Sequence, residues 1–380
     1  MDQELNGGQE RPYVTAKASK HGGGRKTLST KKRYIINALL FVAMLAIGQG
    51  LIDGDFISRY QTTVIEQIGI YIIMAVSLNV ATGYLGQLPL GHAGFMSVGG
   101  YSCAIFIIRM MPVFDLNMRS FVTGEPMAVV LFVVGVLFGG LMAGLSGLII
   151  GIPALRLKGD YLAIITLGFA EIIRVVMLNI DGVVGFELTG GAKGLTGIPS
   201  YTNFLNTFIV VGIVLFLIHT MMKSRHGRAI LAIRDNEIAA EATGVNTTYY
   251  KTLAFVVSAF FAGVGGALYA GCIGVMAPAK FGFMKSIEIL VMVVLGGMGS
   301  MLGSVLSATV LTILPEALRA FADYRMVVYA VVLILVMIFR PQGLLGTYDF
   351  SMGDFLEKLI NGELFRGKSK QKSEEVEANA

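Results

Sequence analysis

Long apolar runs separated by short polar segments dominate the chain. A helix needs about 20 mostly apolar residues to cross a bilayer core about 30 Å thick. Runs that fit single membrane-spanning helices lie near 35–52, 64–81, 93–109, 127–151, 161–180, 204–222, 252–275 and 326–339. A further run, 286–316, is too long for one span and is rich in Gly and Ser, so we expect two shorter helices there. The pattern therefore predicts about ten crossings.

Composition changes the picture from a multidomain soluble protein to a membrane protein. Apolar residues make up 54% of the chain and charged residues 14%, whereas soluble domains carry about 25% charged residues. These values exclude the disordered, collagen-like, coiled-coil and disulfide-scaffold classes. Cys103 and Cys272 lie in apolar runs and offer no metal-binding spacing. We predict an all-α, polytopic transmembrane helix bundle of about ten spans with broken or re-entrant segments.

Lys and Arg residues indicate the orientation of this bundle. One side of the predicted topology, which includes the 152–160 and 223–251 loops, holds 21 of the 30 Lys and Arg residues. Cytoplasmic loops carry such an excess, so we expect both termini in the cytoplasm, which requires an even number of spans.

The same charge pattern divides the chain into three parts. Residues 1–34 form a basic cytoplasmic tail that we expect to be disordered beside anionic membrane lipid. Residues 35–346 form the membrane domain, and 347–380 form a charged cytoplasmic tail. No aromatic platform or binding motif accompanies the basic tail, so nucleic acid is not an expected partner.

Two glycine-rich segments interrupt the apolar pattern, one in each half of the chain. They are Gly83–Gly94 and Leu295–Gly303. Paired interruptions are typical of a transport path, because broken helices turn backbone dipoles toward a cavity. A tight turn between helices is the alternative interpretation, and the sequence leaves both open.

Two opposite charges lie within the predicted 161–180 span. Glu171 and Arg174 are three residues apart, so they share a helix face and can form an ion pair. Charges inside a membrane are costly and normally face the bundle interior. The pair is interpreted either as an internal brace or as part of a transport path.

Several kinds of catalytic site have no counterpart in the sequence. It contains no phosphate-binding loop, no His or Cys cluster of metal-binding spacing and no nucleophile elbow. We therefore expect no enzyme activity and no cofactor in this chain.

The 223–251 loop is the longest predicted cytoplasmic connection. Residues 229–233 and 237–243 are good helix formers, and Gly244 suits a C-terminal cap. Two short helices with Ile230, Ile233 and Ile238 exposed would fit a groove on a partner protein. An amphipathic helix lying on the membrane is the alternative.

Five stretches together resemble the LivM-type permease, the membrane subunit of ATP-binding-cassette importers for branched-chain amino acids. They follow the family order from about residue 64 to 346. The stretches are GQLPLGHAGF at 86–95, LRLKGDYLAI at 155–164, GGAKGLTGIP at 190–199, AIRDNEIAAEATG at 232–244 and IEILVMVVLGGMGS at 287–300.

The resemblance implies a division of labour between subunits in the bacterial plasma (inner) membrane. Such a permease pairs with a second, homologous permease, two cytoplasmic ATPases use the ATP, and an external binding protein delivers the substrate. The resemblance assigns ATPase coupling to the 223–251 loop, through Arg234, Glu237, Ala240, Glu241 and Gly244.

A zwitterionic amino acid needs polar groups along its path through the membrane. We expect Gln87, His92 and Ser97 to lie near that path. Two other functions remain open on the sequence alone. One is a related permease for urea or short amides, and the other is an ion-coupled secondary transporter.

Overall fold

The computed structural model describes residues 30–54, 56–157 and 159–321, together with 327, 328, 330, 331, 334, 338 and 343. Nearly all of both predicted tails, and most of the predicted 326–339 span, lie outside the described residues. Residues 39–350 form one compact unit, to which all contacts below belong.

Helices make up almost all of the described structure, as the sequence predicts. Between residues 39 and 321, the β-structure of the described chain is one isolated bridge between Leu195 and Met276. The helices are α1 (Thr30–Asp53), α2 (Arg59–Asn79), α3 (His92–Met110), α4 (Met118–Thr123), α5 (Pro126–Ala154), α6 (Asp160–Val184), α7 (Phe204–Lys223), α8 (Arg225–Asp235), α9 (Glu237–Ala242), α10 (Thr247–Ile273), α11 (Phe283–Gly296) and α12 (Met301–Ala317).

Local sequence sets where several of these helices begin and end. The Ser58 side chain caps α2 in a capping box with Gln61, and Asn246 caps α10 through the amide of Tyr249. These side chains accept hydrogen bonds from amides that the first turn leaves unpaired. Gly185 and Gly274 end α6 and α10 in the left-handed conformation, which favours glycine.

Six of the described helices are long and apolar enough to cross a membrane: α2, α3, α5, α6, α7 and α10. The expected division of 286–316 into two shorter helices is confirmed, since α11 and α12 are separated by residues 297–300. The total of ten spans and the cytoplasmic position of both termini stay predictions.

Helix α10 lies at the centre of the bundle and packs on α2, α3 and α5. Small residues allow this close packing: a Cβ on Gly139 would come within 2.5 Å of the carbonyl oxygen of Gly99, and one on Gly99 would collide with Gly263. In lipid the hydrophobic effect does not drive helices together, so close van der Waals packing of their backbones stabilises helix pairs. Because α3 packs tightly between α5 and α10, it fixes the position of the segment between α2 and α3.

Candidate functional site

The two glycine-rich interruptions are in direct contact. The fully buried side chain of Asn79, the last residue of α2, attaches this helix end to the second interruption: its Nδ2 donates to the carbonyl of Ser300 at 3.0 Å and its Oδ1 accepts from the amide of Gly299 at 2.9 Å. Gly83 lies directly against Gly299, and any Cβ on Gly83 would collide with the Gly299 backbone. We name the contact formed by Asn79, Gly83, Gly299 and Ser300 the interruption junction.

A turn of π-helix leads from α2 into the first interruption. Residues Val80–Tyr84 continue α2 as a π-helical turn, and the amide of Gln87 then donates to the carbonyl of Ala81 at 3.0 Å. In a regular α-helix that amide would bond to the carbonyl of Gly83. The Gly83 carbonyl is therefore left to find another donor.

Arg234 of α8 supplies that donor. Its Nη1 lies 3.0 Å from the Gly83 carbonyl oxygen, while Nε and Nη2 both donate to Asp235 Oδ1, at 3.2 and 3.1 Å. A cation at the end of α2 is also favoured by the helix dipole. The 223–251 loop, which is predicted to be cytoplasmic and to couple to an ATPase, is thus attached to the interruption junction through one guanidinium group.

The 223–251 loop folds into the two predicted short helices. Ser224 and Asn236 cap α8 and α9, and Gly244 has the positive φ of 87° expected of a cap. The prediction that three isoleucines are exposed is wrong for two of them. Ile230 and Ile233 are 0% and 4% exposed, because α8 packs against α7 and α10, whereas Ile238 is 79% exposed.

The predicted coupling residues separate into two groups in the structure. Glu241 and Gly244 are exposed at the end of α9. Ala240 is buried, and Glu237 pairs with Lys251 of α10 at 2.7 Å, where the Lys251 side chain is 7% exposed. The second group therefore holds α9 in place, and contact with an ATPase stays a prediction for all of them.

Two of the predicted path residues, His92 and Ser97, are buried in α3, whereas Gln87 is half-buried in the segment between α2 and α3. His92 is 1% exposed, and its Nε2 is 2.9 Å from the hydroxyl of Ser77. The Ser97 hydroxyl and the Oε1 atom of Gln87 are buried without a hydrogen-bond partner among the described residues. The structure does not join these three to one open channel, and their role on the path stays a prediction.

The predicted Glu171–Arg174 ion pair is present. Arg174 Nε donates to Glu171 Oε2 at 2.6 Å. The two side chains are 37% and 31% exposed, so the rest of the chain covers the pair only in part, whereas intramembrane charges normally face the bundle interior. The reason is that α6 contacts the bundle along few of its faces, mainly at α3 and at the loop before α11, near Gly282.

Sequence reasoning missed three polar groups that lie within the apolar helices. Lys285 binds Glu288 at 2.9 Å and also the hydroxyl of Tyr71, with its ammonium 4.3 Å from the Tyr71 ring centre. Glu66 is buried in α2, and Asn79 bridges the interruptions. A scan for single polar residues inside the apolar runs would have found Glu66 and Asn79, and Lys285 directly precedes the run at 286–316. Such a scan does not give their partners.

Comparison with known proteins decides the family. The model of the family described as "Branched-chain amino acid transport system / permease component" matches residues 61–337. The chain belongs to this family. The match spans the interruption junction and both short helices α8 and α9, and it confirms the predicted resemblance.

Individual relatives agree with this assignment. The permease protein LivM of the high-affinity branched-chain amino acid transport system of Salmonella typhimurium is 34% identical over 87% of this chain and 80% of its own length. Escherichia coli LivM is 35% identical over 83% and 76%. The LivH permease protein of Escherichia coli is 25% identical over 73% of this chain and 91% of its own length.

These matches establish that the chain is a multi-pass membrane transport component and not an enzyme. Escherichia coli contains two different relatives, LivM and LivH, whose names assign them to a high-affinity branched-chain amino acid transport system. Family membership therefore implies a partner permease and separate ATPases.

Proposed function

We propose that this chain is a permease subunit of an ATP-driven importer for branched-chain amino acids in the bacterial plasma membrane. It works by alternating access with a second permease, two cytoplasmic ATPases and an external substrate-binding protein. ATP is consumed by the ATPases alone. The observation that carries this proposal is the short cytoplasmic helix α9, which is held firmly by its own chain and exposes its tip.

The exposed part of α9 has the properties of a docking segment. Ile238 is 79% exposed beside the exposed Glu241 and Gly244. An apolar side chain surrounded by polar residues is a suitable anchor for a pocket on a partner. Because Ala240 is buried and Glu237 is paired with Lys251, the segment loses little conformational freedom on binding.

The exposed ion pair on α6 supports a path between two permeases. Glu171 and Arg174 are partly exposed, although they lie in the middle of an apolar helix. Lipid does not accommodate such charges well, so this face is best explained by a second permease or a polar path beside it. A zwitterionic amino acid carries an ammonium group that Glu171 can attract and a carboxylate group that Arg174 can attract.

The three polar residues near the first interruption complete this proposal. Gln87, His92 and Ser97 contribute to the path in a conformation in which the junction between α2 and α3 has opened. Buried hydroxyl and amide oxygens without partners are costly in a closed structure, so a second state that pairs them with substrate or water is favoured.

Reconstitution tests the proposed function. The chain, its partner permease, both ATPases and the binding protein are placed in proteoliposomes, and uptake of leucine, isoleucine, valine and urea is measured with and without ATP. We expect ATP-dependent uptake of the three amino acids and none by the chain alone. Uptake by the isolated chain driven by an ion gradient would refute the proposal, and ATP-dependent uptake of urea alone would reassign the substrate.

Docking through α9 has its own test, in which Ile238→Asp is compared with Thr248→Asp. Both residues are exposed and each substitution adds one negative charge. We expect Ile238→Asp to weaken ATPase binding by about thirtyfold, as loss of an interface anchor does. Thr248→Asp should bind the ATPase normally. Equal co-purification of the ATPase with both variants would exclude α9 as the docking segment.

A further inference from the structure

We propose that Arg234 is the positioning residue that transmits movement of α8 and α9 to the interruption junction. This role rests on the proposed function, and it differs from direct contact with the ATPase. The geometry points to it because one guanidinium group binds the first interruption at Gly83 and lies beside the second at Gly299, two segments that are far apart in sequence.

The guanidinium group is oriented by its neighbour. Asp235 Oδ1 accepts from both Nε and Nη2, so that edge of the planar fork is occupied. The remaining nitrogen, Nη1, donates to the Gly83 carbonyl, which the π-helical turn leaves without a helical donor. The Arg234 side chain is 38% exposed, but its Nη1 atom is held by its own subunit through the bond to Gly83.

Glycines on both interruptions make room for this side chain. A Cβ on Gly86, whose φ is 77°, would lie 2.9 Å from Arg234 Cγ, and a Cβ on Gly299 would lie 3.3 Å from Nη1. Arg234 therefore contacts the first interruption along its stem and approaches the second with its charged end. Asn79 ties the end of α2 to the second interruption at Gly299 and Ser300.

The position of Arg234 in the chain suits transmission. It is the penultimate residue of α8, and α9 begins only three residues later at Glu237. Displacement of α9 by a bound ATPase is passed to the end of α8 over this short connection. The hydrogen bond to Gly83 then carries it to the end of α2 and, through Asn79, to the start of α12.

The test uses the full transport complex with Arg234→Gln, Arg234→Lys and the control Arg225→Gln, which removes the same charge from an exposed position of α8. Three quantities are measured: ATPase co-purified per permease, the rate of ATP hydrolysis, and substrate taken up per ATP. We expect Arg234→Gln to keep its ATPase and hydrolyse ATP, while uptake per ATP falls by about tenfold. Arg234→Lys should be intermediate, and Arg225→Gln should match the unmodified complex.

Two results would overturn this role. If Arg234→Gln loses the ATPase, the residue is a docking contact, and if uptake per ATP is unchanged, it transmits nothing.

A second measurement keeps the proposal separate from the proposed function. If the unmodified complex imports no branched-chain amino acid, the function fails, and hydrogen exchange on the purified chain in detergent then tests Arg234. Faster exchange of residues 83–88 and 297–303 in Arg234→Gln, but not in Arg225→Gln, would show that Arg234 holds the junction. Unchanged exchange in both segments would reject the role.

Discussion

The ion pair between Glu237 and Lys251 should govern the local stability of α9. The Lys251 side chain is 7% exposed and the Glu237 side chain 33% exposed, with 2.7 Å between Nζ and Oε1. Removal of the carboxylate by Glu237→Ala leaves a buried ammonium without this partner. Breaking a fully buried pair costs about 3–5 kcal/mol. Water reaches this carboxylate, so we expect the lower cost of about 1–3 kcal/mol that applies to a buried group left unpaired.

Hydrogen exchange measured by mass spectrometry reports this loss directly. Amides of α9 and its cap, including Thr243 and Val245, bond to carbonyls of Ala239 and Ala240. Each 1.4 kcal/mol changes an equilibrium constant tenfold, so exchange over 237–245 should accelerate about five- to 150-fold. Peptides from α3 and α5 should exchange at an unchanged rate.

A double-mutant cycle identifies the cause. Lys251→Met should cost less than Glu237→Ala, because water can solvate the freed carboxylate but not the buried ammonium. The double variant should exchange more slowly than Glu237→Ala alone, since no buried charge remains. If Glu237→Ala alters exchange by less than about twofold, or if the double variant is as fast as Glu237→Ala, the ion pair does not anchor α9.

The interruption junction gives two further predictions, both measured by thermal unfolding in detergent with a dye that reacts with buried cysteines. Gly83→Ala forces a collision with the Gly299 backbone and should destabilise the chain by about 1–3 kcal/mol. The control Gly182→Ala, where nothing lies within 4 Å of the added Cβ, should change stability by less than about 0.5 kcal/mol. Equal changes in the two variants would refute the close contact. Asn79→Ala should cost about 1–3 kcal/mol for each of the two backbone groups it leaves unpaired, and an unchanged unfolding temperature would contradict the bridge.

Features that depend on local sequence could be predicted well. Apolar run lengths gave seven of the long helices near their observed bounds, and the Gly and Ser content of 286–316 indicated its division into α11 and α12. Propensity and the cap residue Gly244 likewise indicated α8 and α9. The spacing of Glu171 and Arg174 was sufficient to predict their ion pair.

Features that depend on distant parts of the chain could not be predicted. The prediction that Ile230 and Ile233 are exposed was wrong, because periodicity shows which helix face is apolar but not which part of the chain covers that face. The Asn79 bridge joins residues 220 positions apart, and Arg234 reaches Gly83 across 151. The π-helical turn that frees the Gly83 carbonyl has no sequence signal that we recognise.

The exposed Glu171–Arg174 pair has a consequence for biosynthesis. Glu171 and Arg174 are 37% and 31% exposed, so a copy of this subunit without a partner permease would leave both charges partly in contact with lipid, at a cost that lipid deformation only partly relieves. Newly made chains should therefore be degraded rapidly until the partner permease is inserted beside them. Balanced co-expression of both membrane subunits should raise the yield of intact protein more than any change of detergent.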